Sequence, residues 1–199
     1  MFLVLEGPDG SGKTTLCAAL TERLKARGIP ALSTYEPTRE NPYGREIRRL
    51  LQEKQVGDPV RFCDLMTEDR RRHLADTIFP ALASGSWVVC DRYKYSALVY
   101  QSLQGVPAAY VAESNQSFRV PDAAWILRPR SVDTLFSRMG GRSGQAEYFE
   151  KRDFLERTMD LYARLPAFFP GENLRFLDAE RPVSALLDEM EESLGLRDS

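Results

Sequence analysis

Residues 7–14 read Gly-Pro-Asp-Gly-Ser-Gly-Lys-Thr, directly after an apolar run at residues 2–5 and directly before a stretch that fits a helix. Glycines at this spacing let backbone N–H groups turn inward around a polyphosphate. Lys13 adds a mobile positive charge, and the Thr14 hydroxyl can bind the magnesium ion that accompanies the phosphates. The segment therefore predicts a nucleoside triphosphate site, whose residues are Gly7, Asp9, Gly10, Ser11, Gly12, Lys13, Thr14 and Thr15.

Two acidic residues lie where they could act on a nucleotide. Asp91 ends an apolar run and is followed by Arg92. Because phosphate-loop enzymes hold magnesium between a strand-end aspartate and the loop threonine, we predict a metal site at Thr14 and Asp91; a helix-capping aspartate beside a solvent-facing arginine is the alternative. Asp9, inside the loop, can either accept hydrogen bonds from N–H groups of the turn or bind a sugar hydroxyl or a magnesium-bound water. We favour the second role.

Arginines recur at positions suited to anion contact, namely Arg39, Arg70, Arg92, Arg138 and Arg142. A planar guanidinium pairs with phosphate oxygens and keeps its charge at neutral pH. Of the three consecutive arginines at 70–72, we expect two on a solvated helix face. Arg138 and Arg142 flank a glycine-rich stretch that predicts a flexible loop, and a basic surface loop is one interpretation of them. The other is that the loop closes and supplies positive charge to a transferring phosphoryl group.

Five short apolar runs and the helical patterns between them must position these residues. The runs, at 2–6, 31–35, 87–91, 123–127 and 174–178, are continuous rather than alternating in polarity, which indicates a parallel sheet covered on both faces. Helical patterns cover 15–27, 43–54, 60–84, 131–139, 147–165 and 182–194. This alternation predicts an α/β fold of the P-loop NTPase type, a doubly wound five-stranded parallel sheet flanked by helices, with a short lid. Ligands gather at the carboxyl ends of such strands, where the candidate residues lie.

Length and charge narrow the class of protein further. A chain of 199 residues is long enough for one substantial domain, and we expect residues 1–199 to form it. With 27 Lys and Arg against 29 Asp and Glu, bulk charge does not favour nucleic acid or membrane binding. Cys17, Cys63 and Cys90 lack metal-site spacing, and no apolar run approaches ~20 residues, so we expect a soluble protein in the reducing cytoplasm.

Several short motifs, taken in order, resemble thymidylate kinases over nearly the whole chain. They are the phosphate loop at 7–14, Asp69-Arg70 with His73-Leu74, Asp91-Arg92-Tyr93, Tyr100-Gln101, Pro121-Asp122 and the arginine-bearing loop before Glu150. The resemblance implies the nucleoside-monophosphate-kinase fold, ATP with Mg²⁺ as phosphoryl donor, and dTMP as acceptor. It also implies a homodimer.

The resemblance further implies roles on the acceptor side. Asp9 would lie by the acceptor sugar, Arg92 would hold the acceptor phosphate, and Arg70 would stand by the base. Tyr100 would pack beside sugar and base, and Arg39 matches the branch of the family in which that arginine touches the acceptor phosphate. The substrate-binding candidates are Asp9, Glu36, Arg39, Met66, Arg70, Arg92, Ser96, Tyr100 and Gln101.

Members of this family place a catalytic arginine either in the phosphate loop or in a lid. The loop here offers Gly10 and Ser11 but no arginine, so we expect Arg138 or Arg142, in a lid at about residues 138–150, to stabilise the transferring group. The catalytic candidates are Lys13, Arg92, Arg138 and Arg142.

Two positions depart from the family pattern. Met66 stands where a phenylalanine usually stacks on thymine, and a thioether gives a softer, less oriented contact than a ring face. Arg128 replaces the usual aspartate after the fourth strand. Because neither position belongs to the phosphate machinery, the sequence specifies the reaction class better than the base.

Three other functions stay open. Met66 motivates a kinase for another or a modified deoxynucleoside monophosphate. A nucleotide-dependent switch would need a water-positioning residue rather than acceptor-side arginines. A nucleoside kinase would need a base to take the proton of the acceptor hydroxyl.

Overall fold

A single twisted sheet organises the chain in this computed structural model, which describes residues 1–138 and 145–196. Its five strands are β1 (Phe2–Glu6), β2 (Ala31–Tyr35), β3 (Trp87–Asp91), β4 (Ala123–Arg128) and β5 (Leu174–Asp178). All are parallel, in the order β2-β3-β1-β4-β5, so the predicted α/β fold is confirmed. The register aligns Leu5 of β1 with Asp91 of β3, which brings the ends of these two central strands to the same edge.

Nine helices are described, and they cover both faces of the sheet. They are α1 (Lys13–Ala26), α2 (Pro42–Gln52), α3 (Pro59–His73), α4 (Phe79–Ala83), α5 (Lys94–Leu103), α6 (Ala108–Asn115), α7 (Val132–Arg138), α8 (Gln145–Phe168) and α9 (Val183–Ser193). One core cluster packs α1 and α9 against the sheet, and the other packs α5, α6 and α8. Every residue of β1 is buried, whereas the edge strands β2 and β5 are partly exposed. Continuous apolar runs thus mark the centre of the sheet most clearly.

Three helix predictions need correction. The helix predicted over 60–84 is divided into α3 and α4 by a π-helical turn, Leu74–Ile78. Helix α6 was not predicted, because its eight residues bury only Val111 and Asn115 and so carry a weak periodic signal. Helix α8 spans Gln145–Phe168, so it extends beyond the helix predicted over 147–165 at both ends. Within the described ranges, no helix combines the length and the apolar character needed to cross a membrane.

Candidate active site

The phosphate loop connects β1 directly to α1. Gly7 has φ +138°, and a Cβ atom built on it would lie 2.7 Å from the backbone oxygen of Leu127, so only glycine lets the loop lie this close to β4. The loop closes on itself through a hydrogen bond from the Ser11 N–H to the Pro8 oxygen, 3.2 Å long. Gly12 precedes the first residue of α1, so the helix N-terminus faces the loop.

Lys13 is buried beneath this loop. Its Nζ donates a hydrogen bond of 2.8 Å to the Pro8 oxygen and lies 3.5 Å from the Ser11 hydroxyl. Burial lowers the pKa of Lys13 to about 8, Arg92 adds to the decrease, and Asp91 and Asp9 oppose it. A bound phosphate would stabilise the charged ammonium form of Lys13, so this position is suited to binding an anion.

Thr14 and Asp91 meet at the ends of the two central strands. The Thr14 hydroxyl donates a hydrogen bond of 2.5 Å to Asp91 Oδ2, and Asp91 Oδ1 is buried without a hydrogen-bond partner. A hydroxyl and a carboxylate are the oxygen ligands that Mg²⁺ takes from proteins when phosphates and water complete its shell. Among the described residues, no cluster of three or more acidic, histidine or cysteine side chains forms a cation cage. The pair therefore fits a magnesium ion that arrives with a nucleotide.

A cavity of about 300 Å³ opens above the loop, and we call it the donor cavity. It is lined by Asp9, Gly10, Gly12, Lys13, Thr14, Thr15, Asp91, Arg92 and Arg138. Arg138, the last residue of α7, donates to the Ala179 oxygen at 3.0 Å and to the Ser11 oxygen at 3.5 Å. Its guanidinium therefore contacts the phosphate loop and lines the same cavity as Lys13. Arg142, the other lid candidate, lies outside the described residues.

A second cavity of about 250 Å³ adjoins the first, and we call it the acceptor cavity. It is lined by Asp9, Glu36, Pro37, Leu51, Phe62, Met66, Arg70, Arg92, Tyr93, Ser96, Tyr100, Gln101 and Gln104. Of the predicted substrate-binding residues, only Arg39 is absent from this wall. Apolar and aromatic side chains dominate it, and the buried Oε1 atoms of Gln101 and Gln104 have no hydrogen-bond partner. Flat apolar walls with a few unpaired amide oxygens suit a nucleobase.

Arg92 stands where the two cavities meet, and Asp9 lies on the same shared wall. The backbone of Arg92 has φ +71°, a left-handed conformation that is unfavourable for a residue other than glycine. Such residues are found most often at functional sites. The guanidinium donates to Asp9 at 2.5 Å, to Ser96 Oγ at 2.9 Å and to the Tyr162 hydroxyl at 3.1 Å. It also lies 5.0 Å from the centre of the Tyr100 ring. Arg92 thus lies between the donor cavity and the acceptor cavity, where it could contact phosphate groups bound in either.

A buried ion pair forms the back of the acceptor cavity. Arg70 and Glu36 are 2.7 Å apart with side chains only 1% and 2% exposed, and Arg70 also donates to Asn115. His73 lies 3.1 Å from the other carboxylate oxygen of Glu36. Burial alone would raise the pKa of Glu36, but Arg70 and His73 outweigh it and the pKa is lowered. Arg71 and Arg72 are exposed, as expected for two of the three consecutive arginines.

A third cavity, of about 420 Å³, continues from the other two beneath the loop that follows β2. Arg39 lines it together with Arg48, Asp91 and Arg92. Both the Arg39 and the Arg48 guanidinium lie over the Tyr35 ring, at 5.3 and 5.4 Å from its centre. Arg48 was not predicted as a site residue, because nothing in the local sequence distinguishes it from the other arginines of an amphipathic helix.

Glu6 and Tyr162 were also missed. Glu6 ends β1 and is fully buried, and Tyr162 reaches it from α8. Burial raises the pKa of Glu6, while Arg92 and hydrogen bonds from Ser96 and Tyr93 oppose that shift. A charged residue at the end of an otherwise apolar strand was the available signal. Arg128 lies exposed at the end of β4, and nothing in the structure explains its presence there.

Comparison with known proteins identifies similar chains. A family model described as thymidylate kinase matches residues 5–190. The thymidylate kinase of Alkalilimnicola ehrlichii is 38% identical, over 97% of this chain and 91% of its own length. That of Leptospira borgpetersenii is 35% identical, over 92% and 87%. A probable thymidylate kinase of Pyrococcus horikoshii is also 35% identical, over 85% and 84%.

Proposed function

This chain belongs to the thymidylate kinase family, and we propose that its two adjoining cavities divide the reaction, the donor cavity binding ATP and the acceptor cavity binding dTMP. The enzyme phosphorylates dTMP to dTDP, a step toward dTTP. The main support for this division of the reaction is the wall that the two cavities share, since Asp9 and Arg92 line both of them. Two phosphate groups bound on either side of one guanidinium are placed for direct, in-line transfer.

The donor phosphates bind to the loop from Gly7 to Thr15. Lys13 neutralises their charge, and Arg138, which contacts the loop at Ser11, can stabilise the negative charge that spreads over the transferring group in the transition state. Thr14 and Asp91 would hold Mg²⁺, which when bound neutralises part of the phosphate charge. We assign the same transition-state role to Arg142, in a lid over 138–150.

The acceptor nucleotide lies with its base in the apolar part of the acceptor cavity. Gln101 offers its unpartnered amide to the base edge, Tyr100 and Met66 pack on sugar and base, and Arg70 closes the back of the site. Arg92 holds the acceptor phosphate, with Arg39 and Arg48 behind it. Since that phosphate is already an anionic nucleophile, no general base is required. This agrees with a site rich in arginine, in which His73 is committed to Glu36.

The remaining assignments concern the whole molecule. We propose that residues 1–199 form one catalytic domain that works as a homodimer. We place the activity in the cytoplasm, where a reducing environment suits three buried free cysteines, Cys17, Cys63 and Cys90.

The experiment is phosphoryl transfer from magnesium-ATP to dTMP, dUMP, dCMP, dGMP and dAMP, with ATP alone and thymidine as controls. We expect dominant turnover of dTMP and none of thymidine, because thymidine brings no phosphate to Arg92. Preference for another monophosphate would reassign the base specificity and keep the division of the cavities. ATP binding without transfer to any of them would reject the proposal.

A further inference from the structure

Glu6 is a fully buried carboxylate at the junction of the phosphate loop and the acceptor cavity, and the mechanism above gives it no role. It immediately precedes Gly7, yet its side chain points away from the loop toward the start of α5. Its Oε1 accepts hydrogen bonds from the backbone N–H of Tyr93 at 2.8 Å and of Ser96 at 3.1 Å. Tyr93 is the N-cap residue of α5 and Ser96 lies in its first turn, so Glu6 caps that helix from β1, the strand next to β3.

The other carboxylate oxygen of Glu6 accepts two hydroxyl groups. Ser96 Oγ donates to Oε2 at 2.5 Å and the Tyr162 hydroxyl donates at 3.2 Å. Four donors converge on Glu6, and these hydrogen bonds together with the nearby Arg92 favour its ionised form, which offers about four lone-pair positions. Because an ionised carboxylate can only accept, the Ser96 proton is directed toward Glu6, and the Tyr162 proton is directed toward Glu6 or toward Ser96 Oγ, 2.9 Å away.

This orientation decides what the two hydroxyl groups can offer to Arg92. Each has one proton, and neither proton is directed toward Arg92, so the lone pairs of both oxygens face the Arg92 Nη1 atom, at 2.9 Å from Ser96 and 3.1 Å from Tyr162. We propose that Glu6 is a positioning residue for the acceptor phosphate: by orienting the Ser96 and Tyr162 hydroxyl groups, it holds the Arg92 guanidinium where that phosphate binds. The inference rests on the proposed role of Arg92.

Glu6→Gln separates this role from capping. The amide oxygen of the glutamine can still accept from the two backbone N–H groups, because the opposite orientation would set donor against donor. The amide nitrogen then faces Ser96 and Tyr162 and donates to both, so their protons must turn elsewhere, including toward Arg92. The variant keeps the shape and the helix cap but reverses the polarity of the contacts that hold Arg92.

The test measures binding of dTMP and of thymidine by isothermal titration calorimetry, without ATP. We expect Glu6→Gln to weaken dTMP binding about 10- to 100-fold, because it disrupts the hydrogen bonds that hold the charged Arg92 guanidinium. Thymidine has no phosphate for Arg92, so its affinity should stay unchanged. Tyr162→Phe removes one of the two oriented hydroxyl groups and keeps the cap, so it should weaken dTMP binding to a lesser degree, again without effect on thymidine.

Glu191→Gln is the matched control. Glu191 is equally buried, with side-chain exposure of 5%, and it pairs with Arg27 at 2.8 Å on the face of the sheet that carries α1 and α9. The same substitution there should lower thermal stability and leave both affinities unchanged. In an Arg92→Gln background, Glu6→Gln should have little further effect on dTMP binding, because the group that it positions is already absent.

Two results would overturn the inference. Equal weakening of dTMP and thymidine binding would mean that Glu6 supports the cavity as a whole, and unchanged dTMP binding in both Glu6→Gln and Tyr162→Phe would mean that Arg92 is held without it. The wild-type protein tests the proposed function separately. If wild type binds thymidine as tightly as dTMP, the acceptor role of Arg92 fails, whatever the variants do.

Discussion

The donor cavity and the acceptor cavity share a wall, but they are built in different ways. The donor cavity is formed largely by one uninterrupted stretch, residues 7–15, whose backbone turns around the space where phosphates bind. The acceptor cavity takes its walls from the phosphate loop, the loop after β2, the turn after β3, α2, α3 and α5, and its back is a buried ion pair between residues 34 positions apart. One region depends on local backbone geometry, and the other depends on side chains that only the complete fold brings together.

This difference predicts whether a substitution will mainly change activity or mainly change stability. A change in the loop should leave the core intact, because no residue of 7–15 belongs to either large core cluster, so it should affect ATP binding and turnover. A change in the acceptor wall removes partners from buried charges, which is costly to the folded state itself. Each substitution below tests that division with a control from the same element or of the same type.

Arg70→Ala should have the largest effect, and it should appear in stability. Removing Arg70 leaves the Glu36 carboxylate buried beside His73 alone and Asn115 without its donor. Breaking one side of a buried pair costs about 3–5 kcal/mol in free energy of unfolding, measured by urea denaturation. Arg71→Ala, at the exposed neighbouring position, should change it by less than about 0.5 kcal/mol. Similar values for both would show that the back of the acceptor cavity is not the stabilising element that its burial suggests.

Lys13→Ala should give the largest loss of turnover with little loss of stability. Its ammonium group is the charge that the loop directs at the donor phosphates, and removal of one such group lowers kcat about 10²- to 10³-fold. The control is Lys25→Ala in the same helix, where the lysine is exposed and pairs with Glu22. Measurement of kcat together with thermal unfolding decides the outcome. A large fall in stability for Lys13→Ala, or near-normal turnover, would break the division between the two regions.

The same division explains what the sequence could predict. The strand, loop and helix around residues 7–14 were predicted correctly, because glycine spacing fixes local backbone geometry, and phosphate binding by this loop stays a prediction. The central strands were recognised because burial on both faces leaves a continuous apolar run, and the partly exposed edge strands because short apolar runs mark them as well. The sheet order brings Thr14 and Asp91 together by the general rule for strand ends, although they are 77 positions apart.

Residues whose roles arise from tertiary contact could not be predicted in this way. In the sequence, Glu6 is simply the last residue of an apolar strand. Its role depends on contacts with residues of α5 and α8, which only the folded chain brings to it. Arg48 lies on a helix with several similar arginines, and nothing local distinguishes it until Tyr35 and the third cavity lie beside it. Apart from Asp9 and the arginines, the acceptor candidates came from resemblance to a family, because their spacing alone indicates no chemistry.

Gly7→Ala should have an intermediate effect and should weaken ATP binding. The new Cβ would stand 2.7 Å from the Leu127 backbone oxygen at φ +138°, and neither that oxygen nor the loop can move without opening the phosphate site. We expect the free energy of ATP binding to become less favourable by about 2–3 kcal/mol. Gly28→Ala is the control. Its φ is +75° and nothing lies within 4 Å of the added Cβ, so the substitution should lower the free energy of unfolding by about 1 kcal/mol and leave ATP binding unchanged. An ATP dissociation constant that does not change in Gly7→Ala would show that the loop tolerates a shift away from β4.

Met66→Phe should have the smallest effect, confined to the acceptor side. Met66 is half-buried in the acceptor wall, where a flexible thioether packs loosely against a flat ligand. An aromatic ring there can stack, which contributes about 0.5–1.5 kcal/mol, so KM for dTMP should fall about 2- to 10-fold while KM for ATP stays constant. Met159→Phe, at a half-buried position on α8, should change neither KM. Side chains from several elements line this wall, whereas the donor loop depends on backbone turns at its glycines. A change in KM for ATP in Met66→Phe would therefore mean that the two cavities are coupled through more than Asp9 and Arg92.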